Sequence, residues 1–261
     1  MDFLLECIGF PPSADPAALA ELVMREGEPV PYRGPSGCHR LLRVAPGVEI
    51  RLDQEEGATH QTLWPHHEAT GRLRVAVTSL HPLAESPSDA VLFGIANPPV
   101  PAEADDPSAE ELGIDYAITT FLSDARRVPR SLPQRHVLAI SVSGFAVDVS
   151  YLGPNEGVRD PFILEEPRGA SLCPVADETN PRGCMELSLR IRKVRRLENH
   201  RTRQGFLILE TDAPGRPIDL FLSLWQIQAD GFEAPRPGWR IEGAFLFTGR
   251  VAGGLPRRRR V

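Results

Sequence analysis

Long apolar runs and the common motifs of catalysis are what this chain of 261 residues lacks. No apolar segment reaches the ~18 residues that a transmembrane helix needs. A P-loop, a dinucleotide-binding glycine fingerprint and a nucleophile elbow are also missing from the sequence. Acidic Asp2 and Glu6 argue against an ordinary secretory signal. We therefore expect a cytoplasmic protein without a membrane contact and without a cofactor.

Cysteine is scarce and scattered. No two of the four cysteines have the CxxC spacing of a zinc or redox site. In a reducing cytoplasm such residues are most simply free thiols, and we expect them to be buried. The residues concerned are Cys7, Cys38, Cys173 and Cys184.

Lysine is nearly absent, because Lys193 is the only lysine among 29 basic residues. Residues 183–261 have 15 basic and 8 acidic side chains, whereas residues 1–182 have 14 basic and 27 acidic ones. This contrast predicts either an end that binds polyanions or two oppositely charged parts that face each other. The acidic, proline-rich residues 103–111 could then cover part of the arginine surface.

What the chain has in abundance is proline and glycine, 26 and 22 residues, which favours short strands and many turns. Ser13 or Asp15 can cap a predicted helix that has Pro16 in its first turn and that Gly27 ends. Residues 39–54 form a predicted hairpin in which Glu49 and Arg51 face water. We predict an α+β, mainly β chain with an antiparallel N-terminal region. Further strands are predicted at 73–77, 90–95 and 137–152, the last broken at Ser143-Gly144.

Apolar and polar residues alternate most clearly in the last eighty residues. Strands are predicted at 185–192, 206–210, 218–225 and 239–251, with a β-bulge at Lys193-Val194 and a bend at Gly243. A small barrel would result. The residues expected in its core are Phe206, Ile208, Leu220, Leu222, Ile241 and Phe245.

Residues 183–252 resemble an OB-fold-type barrel, in which a curved first strand is followed by a polar loop and a meander. The segment Pro235-Arg236-Pro237-Gly238, with Gly243-Ala244-Phe245 and Thr248-Gly249-Arg250 after it, is similar to the C-terminal part of uncharacterised bacterial proteins. The resemblance implies a binding surface rather than a reaction. An OB fold has five strands and only four are counted here, so residues 137–152 are the candidate for the fifth. The predicted units are an α+β region at 1–135, an OB-like barrel at 136–252 and a basic tail at 253–261.

A cluster of basic residues on the first barrel strand and its loop is the strongest functional signal. OB barrels use such side chains to follow the phosphate backbone of a single strand. The overall acidity of the protein argues against polyanion binding. The candidates are Arg190, Arg192, Lys193, Arg195, Arg196, Arg201 and Arg203.

Histidines of the N-terminal half are weaker candidates for a metal site. His60, His66 and His81 lie close together in sequence, but the HExxH spacing is absent. His66 and His67 would point to opposite faces of a strand. The plainer interpretation is a loop of histidines around Trp64-Pro65.

These observations favour a non-enzymatic binding or interaction protein with an acidic protein or a nucleic acid as partner. Two alternatives stay open. One is single-stranded nucleic-acid binding through the arginine-rich strand, and the other is a metal-dependent enzyme that uses the N-terminal histidines.

Overall fold

The protein is described by a computed structural model. It describes residues 2–30, 37–58, 61–69, 71–83, 86–98, 115–129, 132–133, 135–155, 170–175 and 183–255. The acidic segment 103–111, His60 and the arginine tail 257–260 lie outside these residues. Within them the chain is mainly β, with an antiparallel four-stranded sheet and a large mixed sheet of nine strands.

The four-stranded sheet and two helices make up the N-terminal part. Helix α1 is Asp2–Glu6 and helix α2 is Pro16–Glu26. Of the two predicted caps, Asp15 is the one that the structure shows: its carboxylate accepts a hydrogen bond from Ala17 N. The strands follow one another in the sheet as β1 (Glu28–Pro29), β2 (Cys38–Ala45), β3 (Val48–Gln54) and β4 (Thr62–His67).

The nine-stranded sheet contains all later strands. In chain order they are β5 (Leu73–Leu83), β6 (Ser86–Ala96), β7 (Tyr116–Leu122), β8 (Val137–Pro154), β9 (Ser171–Pro174), β10 (Cys184–Glu198), β11 (Gly205–Thr211), β12 (Ile218–Ser223) and β13 (Trp239–Gly253). A 3₁₀ turn, Ala125–Arg127, follows β7, and helix α3, Leu224–Ala229, follows β12.

The long strands β8 and β13 pair with each other in antiparallel fashion, and this pairing closes the sheet into two rings. The first ring runs β8–β5–β6–β7–β13 and the second runs β8–β12–β11–β10–β13. In each ring one pair is parallel, β7–β13 in the first and β12–β8 in the second. Each ring therefore needs one long strand from the other half of the chain.

The two rings repeat one another in strand order and in register. A three-strand meander, a short helical segment and a long strand form each half. The register shift between Val77 and Ser79 in β5 has its counterpart between Ile191 and Lys193 in β10. The segment Phe121-Leu122-Ser123 that ends β7 recurs as Phe221-Leu222-Ser223 at the end of β12.

The pairing partners confirm this equivalence. Val91 pairs with Phe121 in the first ring, as Ile208 pairs with Phe221 in the second. The chain from β5 to β13 thus forms a structural repeat, in which each ring takes a long strand from the other half. Sequence reading missed it because few identical residues mark the repeat.

Strand β4 bridges the two rings. The Trp64 ring stacks on Phe121 with centroids 4.8 Å apart, and the His67 and Phe221 rings pack at an angle of 63° with centroids 4.9 Å apart. His67 Nδ1 also lies 2.9 Å from Ser143 Oγ on β8. The N-terminal sheet therefore contacts equivalent phenylalanines of both halves and the strand that joins them.

Several predictions about the core are confirmed. The predicted bulge in β10 is present, and β8 extends across residues 137–152. All six expected core residues of the C-terminal part are buried. They are buried on two different faces of the sheet. Phe206, which pairs with Leu197, packs against the N-terminal segment at Gly9, whereas Leu222, which pairs with Leu207, lies on the opposite face.

Other expectations are wrong. Glu49 and Arg51 do not face water: both are buried, because β3 is covered on both faces. Ser143-Gly144 does not break β8, and Trp225 lies in α3, whose first turn Ser223 caps. All four cysteines are free, but Cys7 alone among them is buried and Cys173 is exposed.

The histidines around Trp64-Pro65 are not in a loop. They belong to β4, where His66 and His67 are buried on opposite faces, as neighbours on a strand must be. The division of the chain at residue 135 stays a prediction. Pairings β5–β8 and β7–β13 connect the segments on either side of it.

Gly243 offers a test of the shared β8–β13 pairing. Its φ is +149°, and an added Cβ would overlap the carbonyl oxygen of Asp148. We expect Gly243→Ala to lower the free energy of unfolding by roughly 2 kcal/mol or more, since strained backbone and overlap add. Gly253→Ala is the matched control in the same strand, because a Cβ there would meet Ala139 at an ordinary 3.7 Å. Equal denaturation midpoints for the two variants would contradict the assigned pairing.

Candidate ligand pocket on the second ring

A pocket of about 370 Å³ opens on the outer side of β10, β11 and β12. Its wall combines these strands with the end of β4 and the turn before β12. The charged and polar side chains that line it are His67, Lys193, Arg195, Glu210, Arg216 and Asp219.

Strand pairing explains why these side chains meet. Lys193 lies opposite Glu210, Glu210 lies opposite Asp219, and Asp219 lies opposite Ser143. Directly paired residues project to the same face of a sheet, so a polar row crosses four strands. The bulge after Ile191 sets the phase that puts Lys193 in this row.

Arg195 and His67 both approach Asp219. Arg195 Nη2 lies 2.8 Å from Asp219 Oδ2 in an ion pair that is partly exposed. His67 Nδ1 lies 3.8 Å from the same oxygen and 2.9 Å from Ser143 Oγ. Arg195 is therefore held in place at the floor of the pocket by a carboxylate of the neighbouring strand.

Burial lowers the pKa of His67 to about 4, although the Asp219 carboxylate favours the charged form. His66 and Arg195 act in the same direction as burial, because their charges oppose a second positive charge. At neutral pH His67 is an uncharged ring, so the cations of the pocket are Lys193, Arg195 and Arg216.

The Ser143–His67–Asp219 cluster is not a catalytic triad. A triad needs the serine on one imidazole nitrogen and the carboxylate on the other. Here Ser143 and Asp219 both lie on the Nδ1 side. Ser143 is also only 1% exposed, so its hydroxyl group is closed to a substrate.

The seven predicted polyanion-binding residues do not act as one surface. Lys193 and Arg195 line the pocket. The other five, Arg190, Arg192, Arg196, Arg201 and Arg203, are exposed elsewhere.

Four of the seven form ion pairs with nearby carboxylates. Arg192 lies 3.3 Å from Asp212, Arg195 2.8 Å from Asp219, Arg201 2.6 Å from Glu26 and Arg203 3.2 Å from Glu198. Much of the positive charge that the sequence shows on this strand and loop is therefore compensated within the molecule.

The histidine candidates lie apart. His66 contacts Glu49 at 3.3 Å on β4, and His81 contacts Ser79 at 3.0 Å on β5. In the described part of the chain no group of three or more histidine, cysteine or acidic side chains could hold a metal ion. Burial lowers the pKa of His66. Burial alone would raise the pKa of Glu49, but the His66 ring and nearby arginines favour the carboxylate and hold its pKa below the usual range.

A second polar group, buried on β2 and β3, escaped sequence reading. His39 Nδ1 lies 2.8 Å from Asp53 Oδ1, and Arg51 Nη2 lies 2.9 Å from Asp53 Oδ2. The alternation of apolar and charged residues along β3 indicates one polar face. That this face is buried appears only in the folded structure. These contacts join β2 to β3 within the N-terminal sheet.

Comparison of the chain with protein-family models, with curated proteins and with solved structures gave no match. Among the described residues, no helix has the length and apolar character needed to cross a membrane. The case for a function therefore depends on the pocket and the strand pairings.

The burial of His67 predicts a pH dependence of stability. Its lowered pKa means that the unfolded chain binds more protons between pH ~6.5 and ~4, so the free energy of unfolding falls as the pH is lowered through this range, by up to ~3 kcal/mol from this residue. His66 adds to the fall in the same direction. Denaturant unfolding at several pH values should show a smaller fall for His67→Gln than for the wild type. The exposed His200 supplies the control His200→Gln, and an identical pH profile for both variants would contradict the assignment.

Proposed function

We propose that the protein is a non-enzymatic binding protein whose second ring is OB-like and whose ligand occupies the pocket on β10, β11 and β12. The observation that carries this proposal is the position of the pocket. OB folds bind ligands on the face of their second and third strands and on the adjoining loops. In the second ring the corresponding strands are β11 and β12, which contribute Glu210 and Asp219 to the pocket.

The pairing order supports the OB-like part of the proposal. In an OB fold the curved first strand pairs with the second and the fourth, the third lies parallel to the fifth, and a helix joins the third to the fourth. Strand β10 pairs with β11 and β13, β12 lies parallel to β8, and α3 joins β12 to β13. The fifth strand would then be β8, which comes before the others in the chain.

The first ring has the same order, with β5, β6 and β7 as the meander and β13 as the fifth strand. Its equivalent outer face carries Ser79 and Thr119 where the second ring has Lys193 and Asp219. The charged pocket is thus a property of the second half, which favours a binding role for that half in particular.

Single-stranded nucleic-acid binding is the second candidate, favoured by the basic residues that remain exposed on β10. Such binding uses aromatic platforms beside the cations. His67 is the one aromatic ring at the pocket among the described residues, and it faces Phe221. The ion pairs of Arg192, Arg201 and Arg203 further weaken this candidate.

A direct test of the second candidate uses a mixed-sequence single-stranded DNA of ~15 nucleotides at low salt, where phosphate contacts are strongest. We expect its fluorescence anisotropy to stay unchanged when full-length protein is added, because most arginines of β10 and its loop are already paired. Tight, salt-sensitive binding that Arg190→Ala together with Arg196→Ala abolishes would establish nucleic-acid binding instead.

Occupancy of the pocket can be followed with a reporter at Ala69, which lines it. The variant Ala69→Cys is labelled with an environment-sensitive dye. Cys173→Ser removes the exposed native thiol, so that the dye reacts at the pocket. We expect its emission to shift with a small polar molecule from a panel of phosphate, citrate, a neutral sugar and an amine. The same dye at the exposed Ala229 of α3 is the control and should not respond. If none of the four molecules changes the emission of the dye at position 69, the proposed function is contradicted.

A further inference from the structure

The turn between β11 and β12 holds Arg216 at the rim of the pocket. Asn97 Nδ2 donates a hydrogen bond to the Pro214 carbonyl oxygen at 2.7 Å and packs against Gly215. Gly215 has a φ of +76°, which lets the chain turn sharply there. Arg216 is thus presented by a turn that is tied to the end of β6, not by a loose loop.

The position of Lys193 is set instead by the β-bulge of β10. A bulge redirects a side chain relative to a regular strand. The equivalent bulge of the first ring presents Ser79, which is neutral. A cation at this position is therefore not required by the bulge itself.

Each carboxylate of the pocket has an arginine near it, closely at Asp219 and more distantly at Glu210, whose arginine lies nearer to Asp212. Asp219 pairs with Arg195 at 2.8 Å, and Glu210 lies 3.8 Å from Arg192. Lys193 and Arg216, in contrast, form no ion pair within the described part of the chain. Lys193 and Arg216 thus line the pocket without an ion pair to any described residue, although Lys193 lies opposite Glu210 in the strand pairing, whereas Asp219 is held by Arg195.

We propose that the pocket binds a small molecule through an oxyanion, a carboxylate or a phosphate, which Lys193 and Arg216 hold from two walls. Charged donors recognise both groups through short, charge-assisted hydrogen bonds. Arg195 keeps Asp219 oriented, so the second oxygen of that carboxylate can accept a hydrogen bond from a hydroxyl or amino group of the same ligand. This inference rests on the proposed function and adds the chemical class of the ligand.

The volume agrees with a small molecule. Binding cavities for small ligands measure ~300–1,000 Å³, and this one, at about 370 Å³, is near the lower end. A polymer would need a groove that continues beyond the pocket, and Arg192, Arg201 and Arg203 outside it are already paired with carboxylates.

The experiment compares two double variants that remove the same charge. Lys193→Gln with Arg216→Gln removes the proposed anchors, and Arg190→Gln with Arg203→Gln removes two exposed cations outside the pocket. Both pairs lie on the surface, and unfolding midpoints verify that each variant folds. Inorganic phosphate and citrate are titrated separately into wild type and variants with the Ala69 reporter.

We expect at least one of the two probes to bind the wild type, with a dissociation constant about tenfold or more higher for the anchor variant and within about twofold for the control, because two charge-assisted contacts are lost. Binding of phosphate without citrate, or the reverse, identifies which oxyanion the pocket takes.

Three results would overturn the inference. One is unchanged affinity in the anchor variant, and another is equal loss in both variants, which would indicate only long-range charge. The third is a response to the neutral sugar or the amine without any response to phosphate or citrate. That last result would leave the proposed binding function standing while removing the oxyanion from it.

Discussion

The antiparallel pairing of β8 with β13 is the interaction on which the rest of the fold depends. It runs from Ala139 opposite Gly253 to Pro154 opposite Trp239. Each strand has one edge bound to the other and a second edge divided between the two rings. Neither ring can close if this pairing is lost, because each takes one of its long strands from the other half of the chain. A fragment that begins at residue 183 would lack β8 and leave its ring open.

The outer faces of the two rings differ in their own residues, and they differ also in how the N-terminal sheet contacts them. Trp64 and His67 on β4 reach the equivalent residues Phe121 and Phe221, but in different ways. The large Trp64 ring stacks on Phe121, whereas the smaller His67 ring packs at an angle to Phe221 and lies beside Asp219. The side of the second ring next to His67 stays open, and this opening is the pocket. The pocket is therefore bounded both by the charged residues of the second ring and by the end of β4.

Local signals in the sequence were enough to predict much of the fold. Asp15 and Pro16 mark a helix start through capping chemistry that depends on adjacent residues alone. The slip of alternation at Lys193 marks the bulge for the same reason. The predicted contribution of residues 137–152 to the ring also came from counting strands. Features that depend on distant partners were missed: the strand character of His66 and His67, the burial of Arg51 and the repeat itself.

The same limit applies to the site. Sequence reading grouped seven basic residues by their position in the chain, and the structure separates them by their partners. Arg201 pairs with Glu26 and Arg195 with Asp219, contacts that join residues far apart in sequence. Lys193 was in the predicted group, but Arg216 was not, because a turn residue after Gly215 shows no pattern. Which cations can bind a ligand depends on which carboxylates the fold brings near, and the chain alone does not show that.

The charge contrast between the two halves of the chain has a physical consequence that the ion pairs make specific. Arg201 contacts Glu26 on α2, and Arg250 lies 3.6 Å from Glu68 after β4, so basic side chains of the C-terminal half meet acidic ones of the N-terminal part. Exposed pairs of this kind contribute only ~0–1 kcal/mol each, and the apolar contacts around Trp64 and His67 supply the attraction. The charges therefore orient the sheet more than they hold it. Glu68 lies between His67 and Ala69, which both line the pocket, so the pair with Arg250 ties this wall of the pocket to β13.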